Sequence, residues 1–363
     1  MKNLFMLAVA LVVMTLAPAY SEPIVSGEIG QKVDSVLSAE VGANVSGIVF
    51  VAKGDEILIL KGYGLADHEA KIPATPDTVF DIGSITKQFT ASGILRLEME
   101  GKLAVTDPIT KYFDGVPPDK QAITLHHLLT HTAGLTDILG GDYAPMERDD
   151  LVKQAMTKEL IHGVGEKYEY SNLGYSLLAA ILEKASGKGY EQYLHDTFFG
   201  PLGMTKTGYV LPKFTPDEVA TGYTKDTRWG KPTEKVWAPD GPYWNLRGNG
   251  GILSTVGDMY IWHRALLSDK VLSDAAREKM FAPHADEGGG RSFYGYGFMS
   301  ATTARGTKLI AHNGGNNYFF ADFRRYVDDG IVIIEMTNNN RTFTPKVRNG
   351  ILVAVFGPPP ATP

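Results

Sequence analysis

A serine and a lysine three positions apart, Ser84 and Lys87, stand in the segment FDIGSITKQFTA at residues 80–91. Residues three apart on a helix share a face, so an amine there can reach a hydroxyl. Gly83, just before Ser84, marks a strand-to-helix transition, where a helix N-terminus presents free N–H groups and positive potential. An amine made neutral by burial or by a cationic neighbour can take the hydroxyl proton and leave a nucleophile. The spacing by itself fits a serine N-cap followed by a solvated lysine better. It is the only Ser-x-x-Lys match in the chain, and the wider sequence has to decide.

Other residues could complete such chemistry. Two stretches have the form Tyr-x-Asn: Tyr170-Ser171-Asn172 and Tyr243-Trp244-Asn245. Tyr168 would share a face with Tyr170 in an extended segment, but only Tyr170 has an asparagine two residues on. One His-x-Gly, His312-Asn313-Gly314, closes the strand-like run TKLIAHNGG. His127 and His131, at i and i+4, have zinc-chelating spacing. Leu128 occupies the place of the glutamate in a His-Glu-x-x-His motif, so no metal is expected. Gly248-Asn249-Gly250-Gly251 lacks the Gly-Lys-Ser/Thr ending of a phosphate loop and reads as a turn beside a cleft. The paired aspartates Asp149-Asp150 and Asp328-Asp329 read as solvated faces. Trp229, Trp237, Tyr243 and Trp244 fit a substrate wall and a loop anchor equally well.

Composition narrows the chemistry. The chain has 363 residues, 44% hydrophobic and 21% charged, with net charge -6 and no cysteine. Without cysteine there is no thiolate nucleophile, disulfide, thiolate metal site or lipoprotein anchor. Without a basic run, nucleic-acid binding is not expected. MKN followed by LFMLAVALVVMTL and Ala17-Pro18-Ala19 has the pattern of a secretory signal peptide over residues 1–19, too short to span a membrane. Cleavage is expected after Ala19, with Ser21 as the alternative. This predicts a periplasmic or secreted protein without a stable membrane anchor.

The positioning elements follow from periodicity. Residues 45–64 read as a β-hairpin turning at Lys53-Gly54-Asp55-Glu56, preceded by an amphipathic helix over 27–42. Residues 84–100 read as a helix closed by Gly101. From about 105 to 285 helices and loops dominate, with one short helix over 123–135 and two more over 172–199, broken at 187–189. After 290 come four strand-like runs and a last helix over 341–356, followed by GPPPATP, of which 358–363 read as a flexible tail. The expected fold is α+β: an antiparallel sheet flanked by terminal helices, with a helical subdomain inserted, in one unit over 20–357.

The segment GSITKQFTASGIL resembles the active-site segment of the serine hydrolases grouped with class C β-lactamases and D-alanyl-D-alanine carboxypeptidases. TLHHLLTHTAGL, GEKYEYSNLGYSLLAAILEKASGKGYEQYL, FFGPLGMTKTG, GNGGILSTVGDM and HNGGNNYF resemble later parts of that family, in its order, over about residues 45–335. The resemblance implies a β-lactamase/transpeptidase-like fold and an acyl-enzyme at Ser84. Lys87 and Tyr170 would share proton transfer; Tyr170 is preferred to Tyr243 because it follows GEKYEY and precedes a helix. The N–H groups of Ser84 and Gly315 would form an oxyanion hole. Asn172, His312, Asn313 and Gly314 would bind substrate, with no metal or organic cofactor. A histidine in place of the family's lysine at 312, and asparagine at 313, favour peptidase or esterase over strong β-lactamase activity. The substrates implied are D-amino-acid peptides or β-lactams, with short acyl esters as the alternative and a non-catalytic penicillin or cell-wall peptide binder as a further one.

Overall fold

The computed structural model describes residues 22–40, 46–225, 227–339 and 345–359. The expected signal peptide and residues 360–363 of the expected tail lie outside them. Nine strands build the main sheet: β1 Ile24–Val25, β2 Gly47–Lys53, β3 Glu56–Tyr63, β4 Ala285–Asp286, β5 Ser292–Tyr294, β6 Met299–Thr302, β7 Lys308–Gly315, β8 Phe320–Tyr326 and β9 Ile331–Thr337. They run antiparallel in the order β1-β3-β2-β9-β8-β7-β6-β5-β4. The hairpin turns at Gly54, whose φ of 57° favours glycine. Five helices matter below: α1 Gly27–Ser38, α2 Thr86–Met99, α3 Leu125–Leu129, α4 Asn172–Ser186 and α5 Pro345–Phe356.

Successive side chains on a strand face opposite ways, and the sheet uses both faces. Along β9, Val332, Ile334 and Met336 enter a core shared with Leu128, Leu177 and Trp262 of the insert. Ile331 and Ile333 enter a second core with Val33 and Leu37 of α1 and Val347 and Ile351 of α5. A one-residue slip of β8 would carry Asp322 and Arg324 into the apolar face now held by Ala321 and Phe323. Each fully buried Val, Leu, Ile or Phe is worth about 1.5–3 kcal/mol relative to exposure, so the register is strongly held.

The insert is more mixed than its periodicity predicts. It contains a small hairpin, Gly222–Thr224 with Thr227–Gly230, and Phe80–Asp81 pairs with Leu253–Ser254. The helix expected over 123–135 is only Leu125–Leu129. Thr124 caps its start by accepting from the His127 N–H, and His131 adopts a left-handed φ of 57° just beyond its end. His127 and His131 therefore do not share a helical face. The local reason is the turn chemistry: a left-handed residue stops the helix before the apolar run ends.

Candidate active site

Ser84 sits in a one-turn 3-10 segment, Gly83–Ile85, between the short strand Phe80–Asp81 and α2. Asp81 accepts the Gly83 N–H at 2.8 Å and holds this turn. Gly83 has φ 50°, and a Cβ there would stand 2.5 Å from the Gly315 nitrogen. A Cβ on Gly314 would stand 1.9 Å from the Ile82 oxygen and 2.6 Å from the Ser84 nitrogen. The end of β7 thus lies directly against the serine turn, backbone on backbone. This contact brings the main-chain nitrogens of Ser84 and Gly315 into one small region.

Lys87 is fully buried. Its Nζ reaches three acceptors: Ser84 Oγ at 3.1 Å, Asn172 Oδ1 at 2.6 Å and the Asn249 carbonyl at 2.7 Å. Burial pushes its pKa down to about 7, against the pull of Asp137 and Asp142. A neutral amine has two hydrogens and a lone pair. With the hydrogens on Asn172 and Asn249, the lone pair faces Ser84. Sequence reasoning left Asn249 in a turn beside the cleft; only the tertiary contact reveals that its carbonyl orients the lysine.

Tyr170 comes in just ahead of α4, whose N-cap Ser171 accepts the Gly174 N–H at 3.1 Å. The Lys87 Nζ lies 4.8 Å from the Tyr170 ring centre. Burial raises the phenol's pKa, only partly offset by its interaction with the Ser84 hydroxyl. At rest it is therefore a protonated phenol. Asn172 Oδ1 accepts from Lys87, while its Nδ2 donates to Asp137 at 3.0 Å. The competing tyrosines have other partners, although Tyr168 lines the same cleft as Tyr170. The Tyr243 carbonyl closes a turn by accepting from the Leu246 and Arg247 N–H groups, and Asn245 Nδ2 donates to the Ala144 carbonyl. Tyr168 points its hydroxyl to Glu287, at 3.4 Å.

His312 stands on β7 opposite Phe323. Its Nδ1 faces the Asn313 carbonyl at 2.5 Å, so Nδ1 carries the proton, and Nε2 accepts from the Tyr294 hydroxyl at 2.8 Å. Burial, with Lys87 nearby, lowers its pKa to about 3. It is neutral across the whole working range and supplies no cation. A cleft of about 620 Å³ opens beside Tyr170, His312 and Asn313 and extends to Arg324 and Arg348. Among the tryptophans, Trp244 and Trp237 anchor the loop to the core, Trp237 meeting Tyr209 edge-on. Trp229 stacks on Tyr318 at 4.4 Å, three residues past Gly315.

His131 was expected only as a weak zinc candidate. It lies inside the site, its ring 4.3 Å from that of Tyr170. His127 is spent on capping, its Nδ1 3.1 Å from the Thr124 nitrogen. Among the described residues, no group of three or more His, Asp or Glu is placed to hold a metal ion. None of their helices is long and apolar enough to cross a membrane.

Comparison with known proteins agrees with this fold. A sequence model of the family described as Beta-lactamase matches residues 33–356. "Penicillin-binding protein 4*" of Bacillus subtilis is 30% identical over 312 residues, covering 81% of this chain and 68% of that protein. "Putative penicillin-binding protein PbpX" of the same organism is 36% identical over 271 residues, covering 75% of this chain and 65% of that one. Among solved structures, the octameric penicillin-binding protein homologue from Pyrococcus abyssi superposes with a TM-score of 0.77 at 28% identity, over 91% of this chain and 78% of that one. D-amino acid amidase from Ochrobactrum anthropi SV3 shares the fold, with a TM-score of 0.74 at 24% identity over 91% and 99% of the two chains.

Proposed function

The chain belongs to the Beta-lactamase family, and on that premise we propose that it is a serine hydrolase working through an acyl-enzyme at Ser84. The observation that carries this reading is the Lys87 Nζ, buried and 3.1 Å from Ser84 Oγ. Lys87 takes the Ser84 proton as the oxygen attacks a carbonyl carbon. The N–H groups of Ser84 and Gly315 receive the negative oxygen; one such donor is typically worth about 3 kcal/mol in kcat. Tyr170 gives its proton to the leaving nitrogen or oxygen and recovers one from the Lys87 ammonium. Water then cleaves the ester by the reverse relay. The resting states favour Lys87 as the base, since its pKa is brought down to about 7 while that of Tyr170 is raised.

Asn172, Asn313 and Gly314 are assigned to substrate binding, and His312 offers a neutral ring face there. The substrates proposed are amides of D-amino acids, D-alanyl-D-alanine-type peptides or β-lactams, in keeping with relatives named penicillin-binding proteins and a structural neighbour named D-amino acid amidase. The neutral His312 favours a second reading, an esterase for short acyl esters, because no fixed cation stands at that position to draw a carboxylate. Export through the cleavable segment 1–19 completes the proposal; N-terminal sequencing of the mature protein should begin at Tyr20.

The test is a panel: fluorescent penicillin, p-nitrophenyl butyrate, a D-alanyl-D-alanine peptide and a D-amino acid amide, with Ser84→Ala alongside. Wild type should turn over at least one and carry a covalent adduct on Ser84; Ser84→Ala should do neither. Binding unchanged in Ser84→Ala, with no turnover of anything, would show a non-catalytic binder. Tyr170→Phe should lower kcat at least ~10²-fold, a common contribution of acid–base catalysis. A near-wild-type rate would remove the phenol from the reaction.

A further inference from the structure

The left-handed residue that closes a helix is usually glycine, yet after α3 it is His131, at φ 57°. The closing motif is complete in the backbone. The Thr132 N–H donates to the His127 carbonyl at 2.9 Å, and the His131 N–H donates to the Leu128 carbonyl at 3.4 Å. Glycine would make the same bonds without the steric penalty of a Cβ in this region. Capping therefore does not account for an imidazole here.

The side chain has other contacts: its ring packs among Tyr168, Tyr175 and Tyr294, and its shortest ring contact and its hydrogen bond meet Tyr170 and the residue after it. His131 Nδ1 accepts the Ser171 N–H at 3.0 Å. The His131 carbonyl accepts the Glu169 N–H at 2.8 Å. Both neighbours of Tyr170 in the chain are thus tied to one residue. Between those ties the imidazole lies over the phenol ring, centre to centre 4.3 Å and tilted by 34°. Because Nδ1 accepts, the ring proton is on Nε2, which has no hydrogen-bond partner among the described residues although His131 is 1% exposed. A histidine kept for packing alone would normally have its buried polar atoms paired. Burial, with Lys87 nearby, holds the imidazole neutral, so it adds no positive charge beside the amine.

We propose that His131 is a positioning residue for Tyr170: it fixes the phenol against Ser84 and Lys87 through the Ser171 N–H bond and the stacked ring, without touching substrate. This rests on the reading of Tyr170 as the proton carrier. Misplacing a reacting group by about 1 Å commonly costs roughly 10²-fold in rate. His131→Ala removes both ties of the side chain. His131→Asn keeps a residue that tolerates the left-handed conformation and offers an oxygen to the Ser171 N–H, but lacks the ring.

The experiment is a double-mutant cycle with Tyr170→Phe, using the best substrate of the panel, with thermal melts to establish folding. His131→Ala should lower kcat by about 10- to 100-fold while KM stays within ~3-fold. His131→Asn should recover at least ~5-fold of that loss. In the Tyr170→Phe background, His131→Ala should cost less than ~2-fold further, because the two changes act through one group. Full wild-type kcat in folded His131→Ala, an equal loss with and without the phenol, or no recovery with His131→Asn would each overturn the assignment. If His131→Ala does not fold, His131→Asn carries the same cycle, with a loss that disappears in the Tyr170→Phe background. A Tyr170→Phe enzyme at the wild-type rate would instead overturn the reading of the phenol and this inference with it, whereas a slow Tyr170→Phe beside a fast His131→Ala sinks the positioning role alone.

Discussion

The lysine amine is the residue on which the chemistry turns. Three acceptors surround a nitrogen that, once neutral, has only two hydrogens to give. Lys87 protonated has no lone pair for the Ser84 proton, so activity is absent at low pH and appears as the amine loses its charge. With the pKa brought down to about 7, kcat/KM should rise with pH along one limb centred near 7, measured between about pH 5 and 9. Asp81, fully buried, is pushed up to about 7 as well and titrates in the same window. The limb should survive in Asp81→Asn, which keeps an oxygen for the Gly83 N–H. Loss of the limb in that variant would assign it to the aspartate. His312, with a pKa near 3, should add no limb around the usual histidine range.

At the level of elements, the site is a meeting of ends. β7 contributes its last residues, the 3-10 turn contributes Ser84, α2 contributes Lys87 from its first turn, and the approach to α4 contributes Tyr170 and Asn172. The closest meeting is between Gly314 and the serine turn. A methyl group there would overlap the backbone of Ile82 and Ser84, and backbone cannot move aside as a flexible side chain can. Gly314→Ala should therefore lower both the melting temperature and kcat, while Gly306→Ala serves as a control: its φ is positive, unlike that of Gly314, but no atom stands within 4 Å of the added carbon. Equal effects of the two substitutions, by thermal denaturation and turnover, would show that the close approach of Gly314 to the serine turn carries no special cost.

For the whole molecule, the decisive feature is that sheet and insert share one core. Phe50, Phe323 and Ile334 of the sheet belong to the same buried cluster as Leu128, Leu177 and Trp262. The groups proposed for catalysis come from both partners in that shared packing, β7 on one side and α2 and α4 on the other. The sheet and the insert should unfold together, with tryptophan fluorescence, far-UV circular dichroism and activity lost in one coincident thermal transition. Two separated transitions would show that the insert is an independent unit. Under the sheet, Arg324 lies 2.6 Å from the fully buried Glu335. Removing one partner of a buried pair commonly costs about 3–5 kcal/mol, so Glu335→Ala should be far less stable in a denaturant titration.

The sequence by itself determined what depends on local spacing. Ser84 and Lys87 one turn apart, the hairpin at Gly54, the alternating runs of β7 to β9 and the family resemblance were all legible, because each is written in residues close together along the chain. Tertiary structure alone decided what depends on distant segments meeting. It separated Tyr170 from Tyr243, turned Asn249 from a turn residue into a lysine ligand, and moved His131 from a weak zinc candidate to the face of Tyr170. The early end of α3 is a local matter, the left-handed backbone at His131, yet a histidine inside an apolar run does not announce it. A hydrogen bond between residues 87 and 249 leaves no periodicity in either segment; only the packing of the sheet against the insert brings them to 2.7 Å.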